Sequence, residues 1–250
     1  MEAVETAVLA DPLQDLLDDQ VVMILDGGLA SELEARGYDL GDELWSARLL
    51  MSDPGAIRDV HAAYLEAGAD CVLSASYQAT IEGFTGRGLG EADATDLLRL
   101  SVMLAAEARD EFWARQPFGG GRRRPLVAAS VGPFGAALAD GSEYTGDYAP
   151  HGMDEDGLCE WHRRRWEVLA SCDAELLACE TLPSFAEARA LARLLDETPD
   201  VVAWFSFSCR DGAHVRDGTP LADCVAHLEA RPRIVAVGVN CTAPRHVPSL

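Results

Sequence analysis

Short apolar runs alternate with segments of helical periodicity along most of the chain. The runs are continuous rather than alternating, which is typical of strands buried on both faces of a parallel sheet. Six runs predict strands: VVMILDGG from Val21, DCVLSASYQ from Asp70, PLVAASVGP from Pro125, AELLACET from Ala174, VVAWFSFSC from Val201 and RIVAVGVNC from Arg233. Because strand and helix alternate, the pattern predicts an α/β fold with right-handed crossovers.

The segments between these runs carry helix start and stop signals. Asp53 and Pro54 predict a cap and a first helical position, and Gly68 predicts the end of that helix. Further along the chain, SFAEARALARLL predicts a capping box that joins Ser184 to Glu187.

Polar residues stand at the carboxyl end of nearly every predicted strand. They are Asp26, Ser76, Gln78, Ser130, Glu180, Ser206, Ser208, Asn240 and Cys241. The active site of a (β/α)8 TIM barrel requires this distribution, and the first run lacks the GxGxxG spacing of a dinucleotide-binding sheet. We therefore predict one barrel domain over residues 1–250, with about six of the eight βα units present; an open doubly wound sheet is the alternative.

Two stretches interrupt the alternation. Residues 119–125, GGGRRRP, predict a glycine hinge with a basic tip before the third strand. Residues 132–153 form a long polar, glycine-rich segment after that strand. Loops of this length are usually lids or binding loops, although a floppy surface insertion fits the composition equally well.

Composition excludes several classes of function. The 250 residues carry a net charge of −22, so nucleic acid and anionic membranes are unfavourable partners. All 20 basic residues are arginine, which excludes Schiff-base chemistry, pyridoxal-phosphate anchoring and a Walker lysine. No export signal or long apolar segment is present, and the seven cysteines form no CxxC pair. We expect a cytoplasmic protein with reduced thiols; the sequence does not indicate its oligomeric state.

Two carboxylates at strand ends are candidate ligand-binding groups. Asp26 precedes Gly27 and Gly28, which would let a ligand approach closely, although an aspartate there could also cap a helix. Glu180 closes a buried strand, where a charge is unfavourable unless it is paired. Together they predict an acidic mouth for a cationic or zwitterionic ligand.

Cys241 is a candidate nucleophile or metal ligand at the end of the last strand. No histidine lies at a strand end to act as its base: His61 is expected on the polar side of a helix and His162 beside an arginine run. A catalytic zinc site needs two further protein ligands, and Cys209 is the only other cysteine expected at this rim. The remaining cysteines are expected to be buried, so the zinc site is incomplete by spacing alone.

Seven motifs in collinear order connect these residues to a known family. They are LDGGLASELEARGYDLGDELWSARLL, VHAAYLEAGAD, SASYQAT, VAASVGPFGAALADGSEYTGDY, ACETLPSFAEA, SFSCRDG with DGTPL, and GVNCTAP. Over residues 21–244 the sequence closely resembles the zinc-dependent homocysteine S-methyltransferases, which include enzymes that use S-methylmethionine.

This resemblance implies a methyltransferase that moves a methyl group from S-methylmethionine or S-adenosylmethionine to homocysteine, giving methionine. It implies zinc on three cysteines, of which the first matches Cys241. Glu180 would act with Cys241 in catalysis, and the homocysteine amino group would lie near Asp26 and Glu180. Gly27, Gly28 and Asn240 would complete the substrate site.

The sequence departs from the family pattern in one respect. It contains no adjacent cysteine pair, which in the family supplies the other two zinc ligands, and no seventh or eighth strand. We expect it to be a C-terminally truncated form of a longer enzyme. A short chain that closes its sheet by association, and a catalytically silent amino-acid-binding or interaction protein, are the alternatives.

Overall fold

The computed structural model describes residues 10–39, 45–117 and 121–250. Over these residues the α-helices are α1 (Pro12–Leu17), α2 (Leu29–Ala35), α3 (Leu49–Ser52), α4 (Pro54–Ala67), α5 (Ile81–Thr85), α6 (Glu91–Ala114), α7 (Phe134–Leu138), α8 (Glu155–Ala170), α9 (Phe185–Glu197) and α10 (Leu221–Leu228). The strands are β1 (Cys71–Leu73), β2 (Leu126–Val131), β3 (Leu176–Leu182), β4 (Ala203–Phe207) and β5 (Ile234–Val239). Short 3-10 turns lie at Trp45–Arg48, Ser142–Tyr144, Ala149–His151 and Pro244–Ser249.

The five strands form one parallel sheet in the order β1-β2-β3-β4-β5. Each strand thus pairs with the next along the chain, as in a barrel, and the order never reverses as it does in a doubly wound sheet. The α/β class and the parallel sheet are confirmed. All carboxyl ends lie at one edge, where the polar strand ends of the sequence meet.

The prediction of six strands was wrong for the first apolar run. This segment makes a single parallel bridge, Leu25 with Cys71, beside which the Asp26 N–H donates to the Cys71 carbonyl at 3.0 Å. Val21 is 96% exposed and Val22 is 66% exposed, so the segment gains little burial from an extended pairing. Apolar composition alone therefore does not make a strand of a segment whose side chains stay exposed.

Helix boundaries followed the local signals in α4 but not in α9. Asp53 caps α4 by accepting from the Ala56 N–H at 3.3 Å, and Gly68 ends it at φ +113°. The predicted capping box at α9 is not formed: the Ser184 side chain makes no cap bond and Glu187 is fully buried. Asp217 instead accepts from the Phe185 N–H at 2.7 Å.

The predicted basic tip before β2 is bound into the structure. Arg122 donates to backbone carbonyls at the end of α4, including that of Leu65 at 3.0 Å. Arg123 pairs with Asp19, and Arg124 donates to Asp110 at 2.6 Å. These arginines are therefore packing elements, while the predicted hinge at 119–121 lies partly outside the described residues.

None of the described helices is long and apolar enough to cross a membrane.

Candidate active site

The carboxyl ends of β3 and β5 are joined by a short polar network. The Thr181 N–H donates to Asn240 Oδ1 at 2.9 Å, and Asn240 Nδ2 donates to Thr181 Oγ1 at 2.8 Å. Ser206, on β4 between them, also donates to Asn240 Oδ1 at 3.2 Å. Asn240 thereby fixes the ends of three neighbouring strands in one arrangement.

Glu180 lies at the centre of this rim and has no ion pair among the described residues. Its Oε1 accepts from the Ser130 hydroxyl, and its Oε2 accepts a long bond of 3.4 Å from Asn240 Nδ2. Burial raises the pKa of Glu180 to about 7, against the lowering effects of Ser130 and of the Arg165 charge. Near neutral pH the carboxyl is therefore poised between its two protonation states.

Asp26 faces the same space from the segment beside β1. Its Oδ2 accepts from the Leu73 N–H at 2.9 Å. Burial raises the pKa of Asp26 to about 7, and the charge of Glu180 adds to the rise, which shows that the two carboxylates are close. Asp26 is not a helix cap, because the cap residue of α2 is Gly28. The structure thus brings together the two predicted acidic residues.

A cavity of about 230 Å³ opens between the segment before Asp26 and β5. Glu180 and Asn240 lie among its lining residues, and Leu73, Trp204 and Val239 form part of its apolar wall. An apolar wall with a few convergent polar groups is typical of small-molecule sites.

The glycines after Asp26 are explained first by packing. A Cβ placed on Gly27 would lie 2.7 Å from the hydroxyl of Tyr64, which donates to the Gly28 carbonyl at 3.2 Å. Tyr64 projects from α4, so this contact ties the Asp26 segment to a helix. Their predicted role in admitting a ligand stays a prediction.

Cys241 is exposed at the end of β5, immediately after Asn240. Its φ is +46°, and that of Thr181 across the gap is +59°, so two non-glycine residues adopt the left-handed region side by side. The Thr181 hydroxyl lies 3.7 Å from the Cys241 sulfur. Adjacent backbone strain of this kind is often found at ligand-binding sites.

Cys241 has no metal-binding partners within the described part of the chain. No group of three or more histidine, cysteine, aspartate or glutamate side chains there could hold a metal ion. Cys209, expected at the rim, is 1% exposed and lies in the core. Cys179 is also buried, as strand alternation from Glu180 predicted.

Arg165 is a site residue that sequence reasoning missed. It is 2% exposed and donates to the carbonyls of Ser76 at 2.6 Å, Tyr77 at 2.8 Å and Gly132 at 3.0 Å. It therefore clamps the segments that follow β1 and β2. A signal was present in the sequence, because position 165 lies seven residues after Leu158 and thus on the same buried stripe of α8.

Two histidines occupy the core rather than the surface. His61, expected on the polar side of a helix, is fully buried, and burial lowers its pKa to about 4. His162 Nε2 lies 2.9 Å from Glu187 Oε1, where both side chains are fully buried. Both are packed residues, so the expectation that His61 lies on the polar side of its helix was wrong.

Residues 132–153 are an anchored loop, so the alternative of a floppy insertion was wrong. Glu187 accepts hydrogen bonds from the Phe134 N–H and, at 3.0 Å, from the Tyr148 hydroxyl. The Gly135 N–H donates to the Tyr148 oxygen at 3.2 Å. A Cβ on Gly135 would lie 2.4 Å from the Glu143 nitrogen, so the loop folds back tightly on itself.

The fold and the rim together define a class of protein. It is a parallel α/β protein of the barrel type, with two half-buried acids and an exposed cysteine at the carboxyl ends of its strands. Comparison with known proteins then gives the family.

Residues 23–250 match the family model described as homocysteine S-methyltransferase, and the chain belongs to this family of methyltransferases. It is 52% identical to homocysteine S-methyltransferase YbgG of Bacillus subtilis (strain 168) over 240 residues, 96% of this chain and 75% of that protein. It is 52% identical to homocysteine S-methyltransferase of Escherichia coli (strain K12) over 233 residues, 93% of this chain and 73% of that protein.

A solved structure agrees with the sequence relationship. The crystal structure of the metallated form of homocysteine methyltransferase MmuM from E. coli superposes with a TM-score of 0.89 at 51% identity. The match covers 96% of this chain and 81% of that one. The resemblance inferred from seven motifs is confirmed, as is the barrel-type fold.

Proposed function

We propose that this protein transfers a methyl group from S-methylmethionine or S-adenosylmethionine to the thiol of homocysteine and so produces methionine. The observation that carries the proposal is the pair Asp26 and Glu180: two carboxylates without ion pairs, at one rim, in a chain of the homocysteine S-methyltransferase family. Burial raises the pKa of each to about 7, so an incoming ammonium group would favour their charged forms.

In this proposal the two carboxylates bind the amino group of homocysteine and so orient its sulfur atom towards Cys241. Asn240 holds the end of β5 through its bonds to Thr181 and thereby fixes the distance between Glu180 and Cys241. The homocysteine sulfur, as thiolate, attacks the methyl carbon. The carbon–sulfur bond of the donor breaks with its electron pair moving to the donor sulfur, which becomes a neutral thioether, and the thiol proton passes to solvent.

Cys241 would be one ligand of the zinc ion that the family resemblance implies. The E. coli relative has been crystallised in a metallated form. The described residues of this chain do not complete such a cage, since Cys209 is buried and no group of three ligands is present among them. No step of the reaction is therefore derived through the metal.

The second candidate is an amino-acid-binding or interaction protein that binds homocysteine without catalysing methyl transfer. One measurement distinguishes the methyltransferase from the silent binding protein. Purified protein is incubated with homocysteine and S-methylmethionine carrying deuterated methyl groups, with and without added zinc, and trideuterated methionine is measured by mass spectrometry. Labelled methionine supports the enzyme, whereas homocysteine binding without label supports the silent protein.

Matched variants connect this assay to the site. Glu180→Gln is expected to abolish most of the label transfer. Glu229→Gln, which changes an exposed acid at the C-terminal cap of α10, should leave it unchanged. Equal rates in the two variants would contradict the assigned site. The protein would operate in methionine biosynthesis, and the free state of all seven cysteines supports a cytoplasmic location.

A further inference from the structure

Glu143 is a buried carboxylate that the fold does not use. Its residue is 6% exposed, and its Oε2 has no hydrogen-bond partner. It forms no ion pair within the described residues, and burial raises its pKa. A buried carboxylate without a partner is unfavourable, so a position that keeps one is better explained by a ligand than by folding.

The turn that carries Glu143 is held firmly. Asp140 accepts from the Ser142 N–H at 2.9 Å, and the Gly146 N–H donates to the Ser142 carbonyl at 2.9 Å. On the inner side the backbone at Glu143 packs on Gly135 so closely that a Cβ there would lie 2.4 Å from the Glu143 nitrogen. The backbone of Glu143 is therefore held in place by these contacts, while Oε2 of its carboxylate makes no hydrogen bond within the described residues.

This turn lies beside the carboxyl end of β3, because a Cβ on Gly146 would lie 2.6 Å from the Pro183 carbonyl oxygen. Tyr77 is hydrogen-bonded to Thr181, whose hydroxyl lies 3.7 Å from the Cys241 sulfur. Burial raises the pKa of Tyr77, and the charges of Glu180 and Glu143 add to the rise, so both carboxylates are near its hydroxyl. Tyr144, next to Glu143 in the chain, is 48% exposed. Glu143 and Tyr77 thus lie near Cys241.

We propose that Glu143 is the counter-ion of the sulfonium methyl donor; this inference rests on the proposed function. The donor carries a positive sulfur when it enters and a neutral thioether when it leaves, because the breaking bond returns its electron pair to that sulfur. A fixed carboxylate therefore binds the donor more tightly than the product. The Tyr144 ring already lies 5.9 Å from the guanidinium carbon of Arg216, so the carboxylate is the group that is offered to the sulfonium.

The chemistry separates Glu143 from the two acids at the rim. Asp26 and Glu180 bind the ammonium of homocysteine, whereas Glu143 binds the donor. Because the positive charge diminishes as the methyl group moves, Glu143 contributes mainly to donor binding and little to the rate of the chemical step. Its loss is expected to raise the KM for the donor and to leave kcat and the KM for homocysteine nearly unchanged.

The test uses the full-length protein, with S-methylmethionine as the binding probe in calorimetry and as the donor in steady-state kinetics. Glu143→Gln is expected to weaken S-methylmethionine binding about tenfold, the size of one lost charged interaction, with homocysteine affinity within about twofold of wild type. Asp147→Asn, an exposed acid of the same loop, is the matched control and should change neither affinity. Glu143→Ala provides a second variant should the glutamine variant not fold.

Thermal unfolding without ligands separates binding from structure. Glu143→Gln should melt at or above the wild-type temperature, because it removes an unpaired buried charge. Unchanged S-methylmethionine affinity in Glu143→Gln, or no S-methylmethionine binding by the wild type, would overturn the inference. If homocysteine is neither bound nor methylated while S-methylmethionine still binds through Glu143, the proposed function fails and the donor site stands.

Discussion

The two ends of β3 hold half-buried carboxylates in opposite circumstances. At the amino end, Glu175 accepts from Arg109 Nη1 at 2.7 Å, from Arg124 at 3.4 Å and from the Val127 N–H at 2.8 Å. At the carboxyl end, Glu180 accepts only from the Ser130 hydroxyl and weakly from Asn240. One strand thus carries a fully paired acid at one end and an acid without a cation at the other.

This difference distinguishes an end of the sheet that stabilises the fold from the end to which the proposed function assigns ligand binding. The paired acid at the amino end satisfies a buried guanidinium and joins α6 to the sheet. Burial raises the pKa of the acids at the carboxyl end, which form no ion pair within the described residues, and in the proposed function they bind an ammonium group. In barrel enzymes the carboxyl ends form the active site and the amino ends contribute stability.

The largest expected effect is on the paired end. Glu175→Gln would remove one of the two charged partners of Arg109, which is 1% exposed, and leave it with Asp110 at 2.8 Å. We expect the free energy of unfolding to fall by about 2–4 kcal/mol, less than for a fully dry pair because Glu175 is 25% exposed. Urea denaturation followed by circular dichroism measures this, and the KM for homocysteine should not change.

A surface pair provides the control for that loss. Glu66 pairs with Arg115 at 3.1 Å, with both side chains 60% exposed. Glu66→Gln should therefore alter stability by less than about 0.5 kcal/mol. Equal losses in the two variants would mean that the amino end of the sheet has no special stabilising role.

At the unpaired end, Glu180→Gln should have the opposite profile. The amide cannot offer a charge to the homocysteine ammonium, so we expect kcat/KM for homocysteine to fall about a hundredfold, a loss of about 2.7 kcal/mol. Stability at pH 8 should not fall, because a buried charge without a cation has been removed. A variant that lost stability and kept its activity would reverse the assignment of the two ends.

The pH dependence of stability sharpens the comparison further. The folded pKa values of Asp26 and Glu180 are raised to about 7, above those of the unfolded chain. Their contribution is therefore complete below about pH 4 and is lost as pH rises through about 7. Replacing both residues by their amides should reduce the fall in the free energy of unfolding by about 1–2 kcal/mol. This is less than the two pKa shifts alone would give, because both side chains are partly exposed and solvent screens them.

The measurement is a difference curve between wild type and the double amide variant from pH 4 to pH 9. Subtraction removes groups of opposite sign such as His61, whose pKa is lowered to about 4 by burial and whose contribution is lost on acidification. A difference that does not vary between pH 5 and pH 8 would show that the two acids titrate normally.

The smallest effect concerns the loop that carries Glu143. In Gly135→Ala the new Cβ would meet the backbone nitrogen of Glu143 at 2.4 Å, so the turn must shift. We expect the KM for S-methylmethionine to rise about fivefold, about 1 kcal/mol, with homocysteine affinity unchanged. Gly157→Ala in α8 is the control, since its nearest contact is a side-chain oxygen at 3.4 Å. The same donor KM in both variants would separate the loop from the donor site.

The sequence alone determined the elements whose signals are local. The apolar runs of β1 to β5 predicted strands because burial on both faces demands continuous apolar residues. Asp26, Glu180 and Cys241 were identified because a polar residue that ends such a run must lie at the sheet edge. The seven collinear motifs indicated the family because several of them include the polar ends of the strands, in the order in which those strands follow one another along the chain.

Only the tertiary structure decided which polar groups find partners. Glu187 has the spacing of a capping box, yet it pairs with His162, 25 residues away, inside the core. Arg165 and Glu143 are both buried charged residues, but one clamps three carbonyls and the other has an oxygen without a partner. Local pattern records burial, whereas pairing depends on residues brought together from distant parts of the chain. The first apolar run failed as a strand for the same reason: pairing requires a neighbour that sequence periodicity cannot supply.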